Sequence, residues 1–417
     1  MATGSLAHPS PLKRSLERTF GSLRHRNFRL LWTGNVATQA GYWMFSVAQG
    51  WLVLELTNSN PALWLGAVAF AGGIPLLLFP LIGGVLADRF DRKKLLLIYQ
   101  SFSTVYITVF AILVTFKLVE IWHVMVVAFL FGTTMALNIP LRQALVPALV
   151  GKADLMNATA LNSVGFNAMR VVGPALAGIF IATIGTLGIF WLMVVFYVWA
   201  MLWVVQIELP PREPVGQSNP LKNLTDGLRF MRHEPNLISL MLSIAVPTLL
   251  VLPYLYLVPI YAKTILGVGP TGLGMMEGSV GLGALVAALV VAGMGILRNK
   301  GRIMIAVIVA YSLLVSLFAL SPFFPLSLLI LALSGIAWSA LNALNSTLIQ
   351  MSSPDEFRGR IFSVYALTFS LQPIGNLVIG PLADAFGAPV VIAGSGLLAA
   401  ILSLALAWLN PRMRRMD

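Results

Sequence analysis

Long apolar runs separated by short polar links dominate this chain, and they limit its possible folds more than any other feature. A helix that crosses a bilayer needs about 20 predominantly apolar residues, and twelve runs approach or exceed that length. Only 10% of the 417 residues are charged, against roughly 25% in ordinary soluble domains. The sequence therefore predicts an all-α polytopic membrane protein with twelve transmembrane helices. The predicted spans cover residues 28–54, 62–87, 95–116, 122–140, 157–184, 187–207, 237–262, 271–297, 303–320, 326–351, 361–386 and 389–409.

Positive charge is distributed as expected for a membrane protein whose termini lie in the cytoplasm. The net charge is +12, but the basic residues lie in many short links instead of one basic domain, which argues against a nucleic-acid partner. All 27 Lys and Arg fall in the tails and in the links of one face, except Lys117, Lys263 and Arg170. This bias predicts a multi-pass protein of a bacterial plasma or inner membrane with both termini cytoplasmic.

Motifs for catalysis or metal binding are missing from the sequence. The chain has no cysteine, which excludes disulfides and thiolate metal sites. Its four histidines are scattered, and none has the spacing of a metal or nucleophile motif. We therefore expect no metal, no cofactor and no enzyme activity, and we expect a monomer in the lipid bilayer. A membrane enzyme and a non-transporting membrane sensor are the alternatives from other functional classes.

One polar stretch divides the spans into two sets of six. The predicted units are a tail (1–27), a six-helix half (28–207), a cytoplasmic linker (208–236), a second six-helix half (237–410) and a tail (411–417). Three glycines of the fifth span recur at a constant offset in the eleventh, which favours two pseudo-symmetric halves. In transporters built from such repeats the substrate site lies between the repeats, near the bilayer midplane. The glycine pairs are Gly173 with Gly375, Gly178 with Gly380, and Gly185 with Gly387.

A dense cluster of charge lies between the second and third spans. Its pattern, Gly84, Leu86, Asp88, Arg89, Arg92 and Lys93, resembles the helix 2–3 loop motif of the major facilitator superfamily, G-x-L-a-D-r-x-G-r-k. Asp91 stands where that motif usually has glycine. The resemblance implies that the cluster latches the cytoplasmic side of the protein in its outward-open state. The alternative is a topology anchor, which would need the basic residues but not the carboxylate. The latch residues are Asp88, Arg89, Arg92 and Lys93.

Longer stretches narrow the resemblance to one branch of that superfamily. Residues 47–57, 137–178 and 352–387 are similar to the drug:proton antiporter branch that contains enterobactin-exporter-like and macrolide-efflux-like transporters. Gly173, Pro174 and Gly178 resemble its fifth-helix motif, G-P-x-x-G-G, and predict a kink there, functional or purely structural. The fourth-helix arginine typical of many drug antiporters is expected to be absent, because residues 122–141 contain no arginine.

Two stripes of polar residues follow helical spacing within predicted spans. Polar side chains that faced lipid would lose their hydrogen bonds to water, so each stripe should face protein or an aqueous cavity. The resemblance places helices 1, 4, 7 and 10 around a central cavity, which makes both stripes candidates for the substrate cavity. Interhelical hydrogen bonding without a ligand role is the alternative. The first stripe is Asn35, Gln39, Tyr42, Ser46 and Gln49, and the second includes Trp338, Asn342 and Asn345.

Two ionisable residues lie deep in predicted spans, where a charge is costly and its presence points to a function. Arg170 lies about midway along the fifth span and Glu277 about two turns into the eighth. The resemblance places these helices side by side across the interface between the halves. The two residues are therefore candidates for proton coupling, with a structural ion pair as the alternative. Glu55 and Asp384 lie near span ends, where we expect them to cap or anchor helices.

Together these features predict a secondary active transporter. The expected function is export of amphiphilic small molecules of the drug or siderophore class by alternating access, with protons as the counter-transported ion. A lysophospholipid or nutrient transporter of the same fold is the alternative.

Overall fold

The computed structural model describes residues 20–208, 220–293, 299–411 and 413–416. In these ranges nine helices are long and apolar enough to cross a membrane. One of them, Ile121–Val205, has 85 residues and would extend about 128 Å at 1.5 Å per residue, although a bilayer core is about 30 Å thick. Gly151 and Gly185, with φ of 70° and 71°, divide it into three spans, since glycine adopts this left-handed conformation without strain.

The first helix completes the count of twelve. It falls outside the set of nine because its polar stripe lowers its mean hydropathy. The predicted all-α fold with twelve transmembrane helices is confirmed. The helices of the first half are α1 (Arg26–Leu56), α2 (Pro61–Leu78 and Pro80–Arg89), α3 (Arg92–Thr115), α4 (121–150), α5 (152–184) and α6 (186–205).

The second half follows an additional short helix, Pro220–Met231, which we call the linker helix. Two helices of the second half are interrupted. The seventh span changes to 3-10 geometry at Leu252, and the eleventh is broken by a turn at residues 370–371. The helices of the second half are α7 (Pro235–Ile265), α8 (Gly269–Gly293), α9 (Lys300–Ala319), α10 (Phe324–Ser352), α11 (Asp355–Phe386) and α12 (Ala388–Leu409).

The largest boundary difference from the sequence prediction is in α4. The prediction ends this span at Pro140, whereas the helix continues through Pro140 and Pro147 to residue 150. Prolines are tolerated in membrane helices because neighbouring helices and side chains can satisfy the freed backbone groups. Arg142 therefore lies within α4, and the expectation that the fourth helix carries no arginine is wrong.

The face of the bundle that carries the first residues of α1 is called the terminal face, and the other the opposite face. At the terminal face, Asp154 in the first turn of α5 anchors the segment before α1. Nη2 of Arg24 donates to Oδ2 of Asp154 at 2.7 Å, and Nε2 of His25 lies 2.7 Å from the same oxygen. Hydrogen bonds with His25 and Arg24 lower the pKa of the Asp154 carboxyl below its usual 3.8. The pairing therefore persists at neutral pH and is lost as the pH falls below that value.

The linker helix packs against the terminal-face end of α11. Asp226 pairs with Arg360 at 3.3 Å, and the rings of Phe230 and Phe357 stack with centroids 4.4 Å apart. This helix lies within the stretch 208–236 that the sequence marks only as a linker. Residues 220–231 of the predicted link therefore pack on the second half of the protein.

Hydrogen bonds join the two halves at the opposite face. Among described partners, every hydrogen bond between the halves lies there. Nζ of Lys263 donates to the carbonyl of Leu54 at 2.6 Å, and the Asp384 carboxylate accepts from the backbone N–H groups of Ala62 and Leu63 at 3.0 and 2.7 Å. The capping role expected for Asp384 is thus confirmed, but the helix that it caps, α2, belongs to the other half. A carboxylate is favoured at this position because the N-terminus of a helix carries partial positive charge.

Candidate transport cavity

Three adjoining cavities run through the described bundle. The central cavity, about 230 Å³, lies between the halves and is lined by α1, α2, α5, α7, α8, α10 and α11. The lateral cavity, about 430 Å³, lies between α1, α2, α4 and α11 and shares Tyr42, Gln49 and Tyr256 with the first. The polar chamber, about 50 Å³, lies within the first half between α1, α3, α4 and α6.

The polar stripe of α1 passes along all three cavities. Asn35 and Gln39 line the polar chamber, whereas Tyr42, Ser46 and Gln49 line both the central and the lateral cavity. Helical spacing makes this possible, because residues three and four apart lie on one face. Two amides of the stripe, Oε1 of Gln39 and Nε2 of Gln49, are buried without a hydrogen-bond partner among the described residues.

The polar stripe of α10 divides between two environments. Trp338 lines the central cavity, and Asn342 receives a hydrogen bond of 3.4 Å from Tyr365 of α11. Asn345 is fully buried inside the second half, where its Nδ2 donates to the carbonyl of Leu240 at 2.9 Å and to Oγ of Ser243 at 2.7 Å. The assignment of Asn345 to the substrate cavity is therefore corrected: it joins α10 to α7.

Arg170 and Glu277 both line the central cavity. No ion pair within 4.0 Å joins them, and neither side chain has a described hydrogen bond. The guanidinium of Arg170 lies over the ring of Trp43, 5.8 Å from its centroid, which is within the range of a cation–π contact. Among the described residues that line this cavity, they supply the only carboxyl and the only guanidinium, and neither forms an ion pair there.

The predicted kink residues of α5 lie where this helix packs against α1 and α8. A Cβ at Gly173 would come within 2.7 Å of Cβ of Trp43, and one at Gly178 within 2.5 Å of the carbonyl oxygen of Pro270. The φ and ψ angles of α5 stay helical through Gly173, Pro174 and Gly178. These residues therefore permit close helix contact, as small residues often do in membranes.

The predicted latch lies at the terminal face, at the end of α2 and the start of α3. Nη1 of Arg92 donates to the carbonyl of Ala144 in α4 at 2.6 Å, and Asp91 caps α3 by accepting from the N–H of Lys94 at 2.8 Å. Arg89 is exposed and Lys93 is half-buried. The side chain of Asp88 lies outside the described residues.

Arg142 is the residue that sequence reasoning missed. It lines the polar chamber, its Nε donates to Oδ1 of Asn138 at 2.9 Å, and its Nη1 donates to Oδ1 of Asn35. A helical face could have identified it: Asn138 and Arg142 are four residues apart, as are Asn35 and Gln39 opposite them. Treating Pro140 as a helix end hid this spacing.

Comparison with known proteins gives a consistent result over about nine tenths of the chain. The model of a family described as transmembrane secretion effectors matches residues 17–417. The chain is 28% identical over 389 residues to the multidrug efflux pump Tap of Mycolicibacterium fortuitum, covering 91% of this chain and 94% of that protein. It is 26% identical over 386 residues to the enterobactin exporter EntS of Escherichia coli O1:K1 / APEC, covering 90% of each.

A solved structure confirms the fold by shape. A bacterial homologue of the iron transporter ferroportin in an inward-facing state superposes with a TM-score of 0.69 at 17% sequence identity. The match covers 92% of this chain and 99% of that one. At this identity the likeness concerns the fold alone.

Proposed function

Because this chain belongs to the transmembrane secretion effector family of the major facilitator superfamily, whose members are transporters and not enzymes, we propose that it exports amphiphilic small molecules by proton antiport. The main structural support is the central cavity between the halves. It is lined by a carboxyl, Glu277, and a guanidinium, Arg170, that form no ion pair with each other. The names of the relatives, a multidrug efflux pump and an enterobactin exporter, support export of the drug or siderophore class.

Alternating access requires contacts between the halves that break as one side opens. The contacts of Lys263 and Asp384 near the opposite face fit this requirement, since each joins one half to the backbone of the other. We place the terminal face in the cytoplasm because nearly all basic residues lie on that side. In this orientation the present arrangement is closed to the outside and corresponds to the inward-facing state. Substrate enters the cavity from the cytoplasm or the inner leaflet and leaves after the halves rock.

Glu277 is the proposed proton carrier. An ionised carboxylate without a partner is costly within the membrane, so Glu277 is expected to bind a proton while it is enclosed. It would release the proton when the cavity opens to the side of lower proton concentration. Proton uptake from outside would favour return to the inward-facing state. Arg170, with its face on Trp43, is the accompanying fixed positive charge.

The cytoplasmic latch is the proposed role of Asp88, Arg89, Arg92 and Lys93. We expect Asp88→Asn to reduce transport several-fold without reversing the topology, because a neutral amide interacts more weakly than a carboxylate with a positive helix end. The measurements are transport and the labelling of a cysteine introduced at the exposed Glu356 of the terminal face. Full transport by this variant would favour the topology-anchor interpretation.

The test of the function uses inside-out membrane vesicles with an acid-inside proton gradient. Lumenal pH is recorded while drugs, siderophores and lysophospholipids are added one at a time. Proton release on adding one compound, absent from empty-vector vesicles, is the expected result and identifies a substrate. No change in lumenal pH with any compound, with folded protein in the membrane, would contradict proton-coupled export. Uptake of a lysophospholipid without proton release would favour the lipid-transport alternative.

A further inference from the structure

The polar chamber is not explained by proton coupling at Glu277. It lies in the terminal-face half of the bundle: Arg142 is eight residues from the end of α4, and Asn35 is nine residues from the start of α1. Most of the residues that line it carry a polar group, and the amides of Asn35, Gln39 and Gln100 are among these groups. The described residues that line it include no carboxylate. Arg142 is therefore a positive charge within the membrane with no counter-ion in its chamber.

The hydrogen bonds of Arg142 leave most of its donors unused. A guanidinium has five N–H donors and no acceptor. Two described bonds, to Asn138 and Asn35, use one donor each on Nε and Nη1. Both partners are neutral amides, which orient the guanidinium without neutralising its charge. The arrangement holds a cation in position for an acceptor that the described chain does not supply.

The dimensions of the cavities specify what kind of acceptor fits. The chamber, about 50 Å³, has room for one small group, since a water molecule occupies about 30 Å³ of liquid. It shares Phe131, Met135 and Ile139 with the lateral cavity of about 430 Å³, which is large enough for the body of an amphiphile. Met135 is unbranched and flexible, so it can adapt to a group that passes between the two cavities.

We propose that the polar chamber is a subsite for the acid group of an anionic amphiphilic substrate, with Arg142 as the counter-ion. This inference rests on the proposed export function and specifies its substrate class. Guanidinium groups suit carboxylates because two parallel hydrogen bonds can form. The charged residues that line the two cavities also favour an anion, since there are two arginines, Arg142 and Arg170, and one carboxylate, Glu277. Substrate would bind with its acid group toward the cytoplasm and its apolar body in the lateral cavity.

The test measures binding, without transport or a proton gradient, to purified full-length protein in lipid nanodiscs. The probes are 2-naphthoate and its uncharged counterpart 2-naphthamide, compared by calorimetry. We expect wild-type protein to bind the acid at least about tenfold more tightly than the amide, the order expected for hydrogen bonds to a charged group. Arg142→Gln should remove this preference, and Arg142→Lys should retain part of it.

A second variant keeps Arg142 but occupies its guanidinium with a carboxylate of the protein. Asn138→Asp supplies a built-in counter-ion of nearly the same shape, so it should also abolish the preference for the acid. Arg302→Gln, which removes an exposed charge outside the chamber, is the matched control and should keep the preference. Equal binding of the two probes by wild type, binding of neither, or a preference that survives in both chamber variants would overturn the proposal. An Arg142-dependent preference in protein that shows no proton-coupled export would leave the subsite standing and reject the proposed function.

Discussion

Glu277→Gln is expected to reduce substrate-driven proton movement to the level of empty-vector vesicles while the protein folds and inserts normally. Glutamine has almost the same shape but cannot release a proton, so the cycle would lose its proposed carrier. The side chain has no described hydrogen bond or ion pair, and its replacement therefore breaks no contact that holds α8 in place. The measurement is proton release from acid-loaded inside-out vesicles on addition of substrate.

Two further variants make this result specific. Glu277→Asp keeps an ionisable carboxyl and should retain part of the coupled transport. Glu55→Gln removes an exposed carboxylate that contacts Thr186 near the opposite face, and it should leave coupling intact. An unchanged proton-driven rate in Glu277→Gln would reject the carrier role, and Arg170 would then be the remaining deep charge of the central cavity to test.

Gly274→Leu is expected to abolish transport by preventing closure at the opposite face. A Cβ on Gly274 would lie 2.4 Å from the carbonyl oxygen of Pro174, and Gly178 Cα would be 2.9 Å away. Both contacts are between the halves, so a larger side chain must push α5 and α8 apart. Overpacking costs about 1–3 kcal/mol, and about 1.4 kcal/mol changes a population ratio tenfold. The protein should therefore fold but populate the outward-open state.

The measurement uses paired spin labels, which the absence of native cysteine makes simple. Cysteines at Asn58 and Ala385 report the opposite face, and those at Met156 and Glu356 report the terminal face; all four positions are exposed. Distances should lengthen at the first pair and shorten at the second. Gly394→Leu is the matched control, because no atom lies within 4 Å of a Cβ at Gly394. Wild-type distances and transport in Gly274→Leu would contradict the proposed closure.

Several features of the cavity follow from local spacing alone. The stripe from Asn35 to Gln49 shares one face of α1 because of the helical repeat, and the cost of polar groups in lipid requires that face to point inward. The depth of Arg170 and Glu277 in their spans follows from counting residues. For this reason both residues could be selected before any contact was known, and the structure places both at the same cavity.

Other features depend on which neighbour a helical face meets. Asn345 has the same spacing as the cavity residues, but its face meets α7 and not the cavity. Asp384 caps α2, more than 300 positions earlier in the chain, and no local pattern specifies that pairing. Arg142 was missed for a different reason: proline ends most helices in water, whereas in the membrane α4 continues past it.

The sequence by itself determined the number of spans, the division into halves and the residues that cannot face lipid. It could do so because the energy of transferring side chains and backbone into a bilayer is local and large. Only the tertiary structure decided which polar faces meet a cavity, that Arg142 and Glu277 lie in adjoining parts of one cavity system, and that hydrogen bonds join the described parts of the two halves at the opposite face. These outcomes depend on contacts between residues far apart in the chain, where differences of a few kcal/mol choose among packings that local patterns leave equivalent.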